Sequence, residues 1–279
     1  MKIKANAKIN LSLAITGKRS DGYHLIDTVM HSVSLFDEID IEKSDGLTVE
    51  CDKYNIPQEE NIAFKAANLF FSEANIKSGA KIVIKKNIPA AAGVGGGSAD
   101  AAAVLLGLNK LYNANLSCAK LCEMALKLGA DVPFFIKGGC QRAQGIGEEL
   151  TPITPLNRGY ILLAKADTKP STAEMYRLLD SKDPEILDTE KVIKAVENND
   201  LNLLSNSLFN AFLSVWGESG LKQTLLNLSP LCVSLSGSGP THFALFDDLE
   251  KSKTAKKTLE NQNIDCWLAD FCDKAIIFE

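Results

Sequence analysis

The chain has 279 residues, 46% of them apolar and 23% charged, and a formal net charge of −5 at pH 7. That length favours two domains over one, and the composition is that of an ordinary soluble globular protein. The acidic balance argues against a nucleic-acid partner, and no segment reaches the roughly eighteen uninterrupted apolar residues of a membrane span, so neither nucleic acid nor membrane is expected as a partner.

From the N-terminus, Ile3, Ala5, Ala7, Ile9, Leu11, Leu13 and Ile15 alternate with Lys4, Asn6, Lys8, Asn10 and Ser12. This is the period of a strand and not of a signal-peptide core. A polar turn, Gly17–Gly22, leads to strands expected near Thr28–Leu35, Glu38–Glu42 and Leu47–Cys51. Asn61–Ala74 predicts a helix with Ile62, Ala66, Leu69 and Phe70 on one face, and Lys81–Lys86 alternates as a strand that delivers the chain to Pro89. From Ser98 to about Tyr112 the segment is apolar nearly all round and predicts a buried helix. A further helix runs from Ser117, a good N-cap, to Gly129, a good terminator. Asp131 follows, between the helix end and Pro133.

Pro152 and Pro155 punctuate a boundary near residues 151–158. Beyond it, a strand is expected at Tyr160–Lys165, with helices near Thr172–Leu179, Thr189–Glu197, Leu201–Phe212 and Glu218–Leu228. A strand at Cys232–Leu235 meets a small loop, Ser236–Pro240. A strand at His242–Phe246, a helix around Leu249–Asn261 and terminal strands near Cys266 and Ala275 complete the pattern. Seven cysteines form no CxxC pair, and with only His24, His31 and His242 no zinc spacing emerges. They read as small buried hydrophobes of a protein in a reducing compartment, the cytoplasm.

The densest chemical signal is PAAAGVGGGSADAAA, Pro89 to Ala103. Gly93, Gly95, Gly96 and Gly97 run into Ser98 and an alanine-rich helix. Glycines let a backbone approach a ligand closely, and a helix N-terminus offers unpaired N–H donors with partial positive charge. Together they form a phosphate-binding device. It is no Walker A loop, because Gly97 and not lysine precedes Ser98. A dinucleotide fingerprint fails too, since Ser98 stands where glycine or alanine is needed.

Lys8 and Asn10 on the first strand, the glycine loop, and Asp131 before Pro133 then stand out as three separated chemical segments. In order, AKINLSL (Ala7–Leu13), the glycine loop, GADVPFF (Gly129–Phe135) and LSGSGPTHFALF (Leu235–Phe246) resemble the motifs of the GHMP kinases. DGYH (Asp21–His24), GIGEEL (Gly145–Leu150) and STAEMY (Ser171–Tyr176) make the chain most similar to the branch that phosphorylates the 2-hydroxyl of 4-diphosphocytidyl-2-C-methyl-D-erythritol, in isoprenoid precursor synthesis by the methylerythritol phosphate route.

The resemblance implies an α+β, two-domain GHMP kinase fold. Residues 1–153 would form an N-terminal domain of a type also found in a ribosomal protein, and residues 154–279 a ferredoxin-like C-terminal domain, with the site in the cleft between. It further implies ATP as donor with Mg²⁺, small-molecule partners (ATP and a cytidine-diphosphate-linked polyol), and a monomer or weak homodimer. Residue by residue, Lys8 and Asp131 match the catalytic pair. Pro89, Ala90, Ala91, Ala92, Gly93, Val94, Gly95, Gly96, Gly97, Ser98 and Ala99 match the nucleotide-binding segment, with Asn61 and Lys86 on the adenosine side and Ser98 as a metal ligand. Asn10 would bridge Lys8 and the acceptor. Tyr23, His24 and Tyr176 would recognise cytosine, held between the rings of Tyr23 and Tyr176. Val94 stands where leucine is commoner, and Ala99 replaces a second serine, so phosphate contacts fall to Ser98 and the amides. The rivals are a GHMP kinase acting on mevalonate, phosphomevalonate or homoserine, and a nucleotide-binding regulator without catalysis. Tyr23, His24 and Tyr176 speak against the first, the joint presence of Lys8 and Asp131 against the second.

Overall fold

Residues 2–44 form one long hairpin of β1 (Lys2–Lys18) and β2 (His24–Ser44), and the first sheet is assembled on it. The structure is a computed structural model and describes residues 1–54, 56–182, 187–216 and 220–279. The two strands expected at Thr28–Leu35 and Glu38–Glu42 are a single β2. The pairing slips after Asn6, which faces Phe36 while Ala7 faces Val33, so Ser34 and Leu35 bulge out where the pattern broke.

β3 (Thr48–Cys51), β4 (Gly79–Lys85), β5 (Cys140–Gln144) and β6 (Glu149–Ile153) complete the N-terminal part of this sheet. Four helices cover one face: α1 (Ile62–Glu73), α2 (Gly96–Leu111), α3 (Cys118–Leu128) and α4 (Val132–Lys137). α1 and α3 begin at caps legible in the sequence, Asn61 and Ser117, whose side chains accept from Ala63 N and Lys120 N.

A second sheet has the order β11-β7-β10-β9, antiparallel throughout, from β7 (Tyr160–Lys165), β9 (Cys232–Leu235), β10 (Thr241–Phe246) and β11 (Cys266–Asp270). Between β7 and β9 lie α5 (Thr172–Leu179), α6 (Thr189–Glu197), α7 (Leu201–Ser205), the two-residue β8 (Phe209–Asn210), α8 (Leu213–Trp216) and α9 (Gly220–Leu226). α10 (Leu249–Asn261) joins β10 to β11, giving a ferredoxin-like βαββαβ succession within an α+β protein. The alternation along β7 is literal: Leu162 and Ala164 pack under α9 and α10, while Ile161 and Leu163 enter a second core with Ala7, Ile9 and Leu11 of β1.

Two elements from late in the chain return to β1: β8 pairs with it in parallel, and β12 (Ile276–Phe278) in antiparallel fashion. β1 is therefore paired along both edges, and with cores packed on its two faces Asn6, Lys8, Asn10 and Ser12 are as buried as their apolar neighbours. The helix expected over Leu201–Phe212 stops at Ser205. Beyond it Asn210 Nδ2 donates to the carbonyl oxygens of Leu235 (2.8 Å) and Gly237 (2.9 Å), and Ala211 N donates to Leu13 O. These tertiary bonds outweigh the local helical pattern. Of the helix expected at Glu218–Leu228, Glu218 lies outside the described residues and Gly220–Leu226 is helical.

Candidate active site

α2 starts at Gly96, two residues before the expected Ser98, with Gly95 as a left-handed N-cap (φ 77°) and no side-chain cap. The N–H groups of Gly96, Gly97 and Ser98 thus have no acceptor within the helix, and they point out of the positive end of a buried four-turn element. The loop that presents them is tied from several sides. Lys8 N donates to Val94 O (3.0 Å), Thr241 N to Ala92 O (3.2 Å), and Ser236 Oγ to Gly93 O (2.8 Å). Only glycine fits at two points. A Cβ on Gly93 would lie 2.3 Å from Ser236 O, and one on Gly95 would lie 2.5 Å from the Phe135 ring.

The loop lines a cavity of about 590 Å³ shared with Lys8, Asn61, Lys86 and Asp131. Of the expected nucleotide segment, Pro89, Ala90, Ala91, Ala92, Gly93, Gly95, Gly96, Gly97 and Ser98 face it. Val94 and Ala99 do not: both are fully buried in the cores, where their side chains fix the loop from behind. Asn61 lines the cavity while its Oδ1 is taken by Ala63 N (2.9 Å).

Lys86 lines the same cavity, and its ammonium is bound between the carboxylates of Asp37 and Asp100 (2.6 Å to the latter). Burial pulls its pKa down, but Asp100 and Asp37 outweigh that and hold the ammonium above its ordinary range. Asp37 also accepts from the amides of Asn87 (2.6 Å) and Ile88 (2.8 Å), which fix its position. Asp100 has one oxygen without a partner, and burial raises its carboxyl pKa. This triad sits directly under the first turn of α2, with Lys86 Nζ 3.4 Å from where a Gly96 Cβ would be.

Lys8 Nζ lies 3.5 Å from Asp131 Oδ2, and the pair is asymmetric: the lysine side chain is 4% exposed, the aspartate 41%. α3 ends at Gly129 and α4 begins after Asp131, with Pro133 in its first turn, where the missing N–H costs nothing. Lys8 also donates to Asn10 Oδ1 (2.6 Å), and Asn10 Nδ2 donates to Thr28 Oγ1 (2.9 Å). Asn10 is itself 3% exposed. Both ends of its amide hold one protein bond each, so it aims Lys8, as the expected bridging position requires.

A second cavity, about 740 Å³, is lined by Tyr23, His24, Ala130, Thr172, Tyr176 and Asp180 among others. Tyr23 and Tyr176, expected to hold cytosine between them, line this same cavity without touching each other's rings. Tyr176 stacks on His24 (centroids 4.4 Å apart, planes at 18°) and meets Phe212 edge-on, while Tyr23 is 61% exposed. Asp180 Oδ1 bonds His24 Nε2 at 2.6 Å and holds the imidazole in that stack. Burial, with a smaller contribution from the Asp131 charge, pushes the Tyr176 phenol up to about 12, so it stays protonated. Thr172 lines both cavities, and Ala130 of the second adjoins Asp131 of the first; the carboxylate stands where the two meet.

The sequence did not single out Tyr54, Ile56, Lys169, Thr172 or Ser238, all of which line the first cavity. Tyr54 Oη accepts from Ala90 N (3.3 Å), and with Ile56 it gives the cavity an apolar wall. No local pattern marks these two, because they lie between elements. Ser238 belonged to a quoted motif but carried no assigned role. Among the described residues no trio of His, Cys, Asp or Glu forms a metal cluster, and no helix is long and apolar enough to cross a membrane.

Comparison with known proteins fits this geometry. The GHMP kinases N terminal domain matches residues 61–139. The chain is 44% identical over 271 residues to the 4-diphosphocytidyl-2-C-methyl-D-erythritol kinase of Clostridium perfringens, covering 94% of each. It is 43% identical to that of Acetivibrio thermocellus, covering 95% of this chain and 97% of the relative. The crystal structure of a 4-(cytidine 5'-diphospho)-2C-methyl-D-erythritol kinase superimposes with a TM-score of 0.84 at 30% identity, covering 97% of this chain and 99% of that one. Homoserine kinase from Cytophaga hutchinsonii shares the fold, with a TM-score of 0.74 at 19% identity over 99% of this chain and 96% of that one. The chain belongs to the 4-diphosphocytidyl-2-C-methyl-D-erythritol kinases, a branch of the GHMP kinases.

Proposed function

We propose that the protein transfers the terminal phosphoryl group of ATP to the 2-hydroxyl of 4-diphosphocytidyl-2-C-methyl-D-erythritol, giving the 2-phosphate for isoprenoid precursor synthesis. The observation that carries this reading is the Lys8–Asp131 pair at 3.5 Å, placed where the glycine-loop cavity meets the cavity of Tyr23 and Tyr176.

Phosphoryl transfer is chiefly a matter of positioning and of neutralising charge spread over the phosphoryl oxygens. The amides of Gly96, Gly97 and Ser98 offer preorganised donors for that charge and lose no order when it develops. Asp131, 3.5 Å from the Lys8 ammonium, offers its carboxylate to the acceptor hydroxyl, taking up its hydrogen and aiming its oxygen. A carboxylate is too weak a base to deprotonate an alcohol beforehand, so the proton crosses late, as a loose transition state allows. Tyr23 and the stacked Tyr176–His24 pair supply aromatic surface for the pyrimidine. Mg²⁺ usually arrives with substrate phosphates and one or two protein oxygens. The Ser98 hydroxyl in the first turn of α2 fits that demand, and the cation would neutralise phosphate charge there.

An ADP-release assay tests the reading, with the cytidine substrate, mevalonate, phosphomevalonate and homoserine offered in turn. Turnover with the cytidine compound alone is expected. Turnover with mevalonate or homoserine and none with the cytidine compound would overturn the acceptor assignment.

A further inference from the structure

The mechanism above uses one ammonium, Lys8, yet the same cavity is lined by Lys86 and by Lys169 as well. Lys169 lies just before α5, and its Nζ donates to Thr172 Oγ1 (3.1 Å), Ser238 Oγ (2.9 Å) and Ser238 O (3.3 Å). All three acceptors are neutral, and among the described residues no carboxylate pairs with it. It is half-buried, and desolvation alone holds its pKa below the ordinary lysine range. A cation taken out of water without a counter-charge costs free energy, and the fold tolerates that cost at few places. Lys86, by contrast, has two carboxylates to itself.

The place of Lys169 indicates what the missing counter-charge is. It lines the glycine-loop cavity together with Thr172, Ser238 and the first turn of α2. Thr172 lines the pyrimidine-side cavity as well. On the function proposed above, phosphate groups converge at that junction from two sides: the terminal phosphate of the donor and the diphosphate of the acceptor. We propose that Lys169 is a phosphate-binding residue of the ternary complex, its ammonium aimed by Thr172 and Ser238 at phosphate oxygens where the two cavities join.

This assignment explains why the neutral partners are arranged as they are. Thr172 Oγ1 and Ser238 Oγ also bond each other at 2.9 Å, so the lysine is docked on a preformed pair of hydroxyls. Ser238 belongs to the loop whose Ser236 clasps Gly93, and Thr172 lies one helical turn from Tyr176 on α5. A phosphate on Lys169 thereby ties the ring-bearing helix to the loop that holds the nucleotide cradle. Were the lysine only a strap between α5 and that loop, its loss would loosen the fold without distinguishing phosphorylated from unphosphorylated ligands.

The test uses the full chain with Lys169→Met and Lys169→Arg. Titration calorimetry at low salt is run with cytidine, cytidine diphosphate, ADP and a non-hydrolysable ATP analogue, alongside a thermal melt. Charged hydrogen bonds to phosphate are worth about tenfold or more in affinity. Lys169→Met is expected to weaken cytidine diphosphate at least tenfold with cytidine unchanged if the acceptor diphosphate is bound. It is expected to weaken the ATP analogue at least tenfold with ADP unchanged if the donor's terminal phosphate is bound. In either case Lys169→Arg should stay within a few-fold of the natural protein. Affinities for all four ligands within twofold of the natural protein would overturn the proposal. So would a uniform loss for all four accompanied by a lower melting temperature. If the natural protein binds the ATP analogue but no cytidine ligand, the acceptor assignment itself has failed, and the donor arm alone decides the role of Lys169.

Discussion

Behind the glycine loop the side chains are buried and tied to one another, whereas at the other cavity Tyr23 and the Lys18–Asp180 pair stand at the surface. At the first end, the Lys86–Asp37–Asp100 triad, the Val94 and Ala99 side chains and the Ser236 hydroxyl leave the loop a single position. At the second, Tyr23 is 61% exposed and the Lys18–Asp180 ion pair (2.5 Å) lies at the surface. The difference follows from what each end must do. Charge stabilisation depends on donors held in place before the reaction, so the phosphate end is overdetermined. Stacking on a pyrimidine tolerates displacement, so the acceptor end can be built from surface rings.

Four variants sharpen or break this comparison. Asp131→Asn, at the junction, should lower kcat about 10²- to 10⁴-fold while ATP affinity persists; near-normal turnover would remove Asp131 from the chemistry. Lys86→Met leaves two buried carboxylates without their cation and should cost about 3–5 kcal/mol in urea unfolding. A cost below about 1 kcal/mol would show that the phosphate end is less tightly specified than its bonding suggests. At the acceptor end, Tyr176→Ala should weaken the cytidine substrate by about 1–3 kcal/mol, read as a raised KM with the KM for ATP unmoved. An equal rise in both would tie the two ends together.

The smallest effect concerns pH. Burial raises the Asp100 carboxyl, so between pH ~4 and that raised value the folded state holds a proton that the unfolded chain has released. Stability therefore falls as pH rises through this window. Asp100→Asn should match the natural protein to within about 1 kcal/mol at low pH and lack that decline. A variant whose urea midpoint follows the natural protein's at every pH would refute the proton on Asp100.

The elements carrying their own signals were legible in advance: the capped α1 and α3, the strand at Tyr160–Lys165, the helix at Leu249–Asn261. The glycine loop and Asp131 were legible as chemistry for the same reason, since their signal is local. Lys8 was not legible as a buried residue. Its burial comes from α4 and from the glycine loop, neither of which a strand pattern contains. α4 itself, six residues with proline near its start, is too short for a periodicity. The partners of Lys86 were hidden in the same way: Asp37 and Asp100 reach it from β2 and α2, 49 and 14 residues away. Lys169 depends on Ser238, 69 residues on. In each case the missing information was a partner, not a property of the residue.

The bond from Ser236 to Gly93 spans 143 residues. On the ribosome the glycine loop emerges long before the hydroxyl that fastens it, and β1 waits for Ile276–Phe278 as its neighbour. A nascent or truncated chain holding α2 alone presents glycines with no fixed course. The clasp on the nucleotide loop thus arrives with the last part of the chain, and fragments cut short of Ser236 are expected to bind ATP more weakly than the full chain.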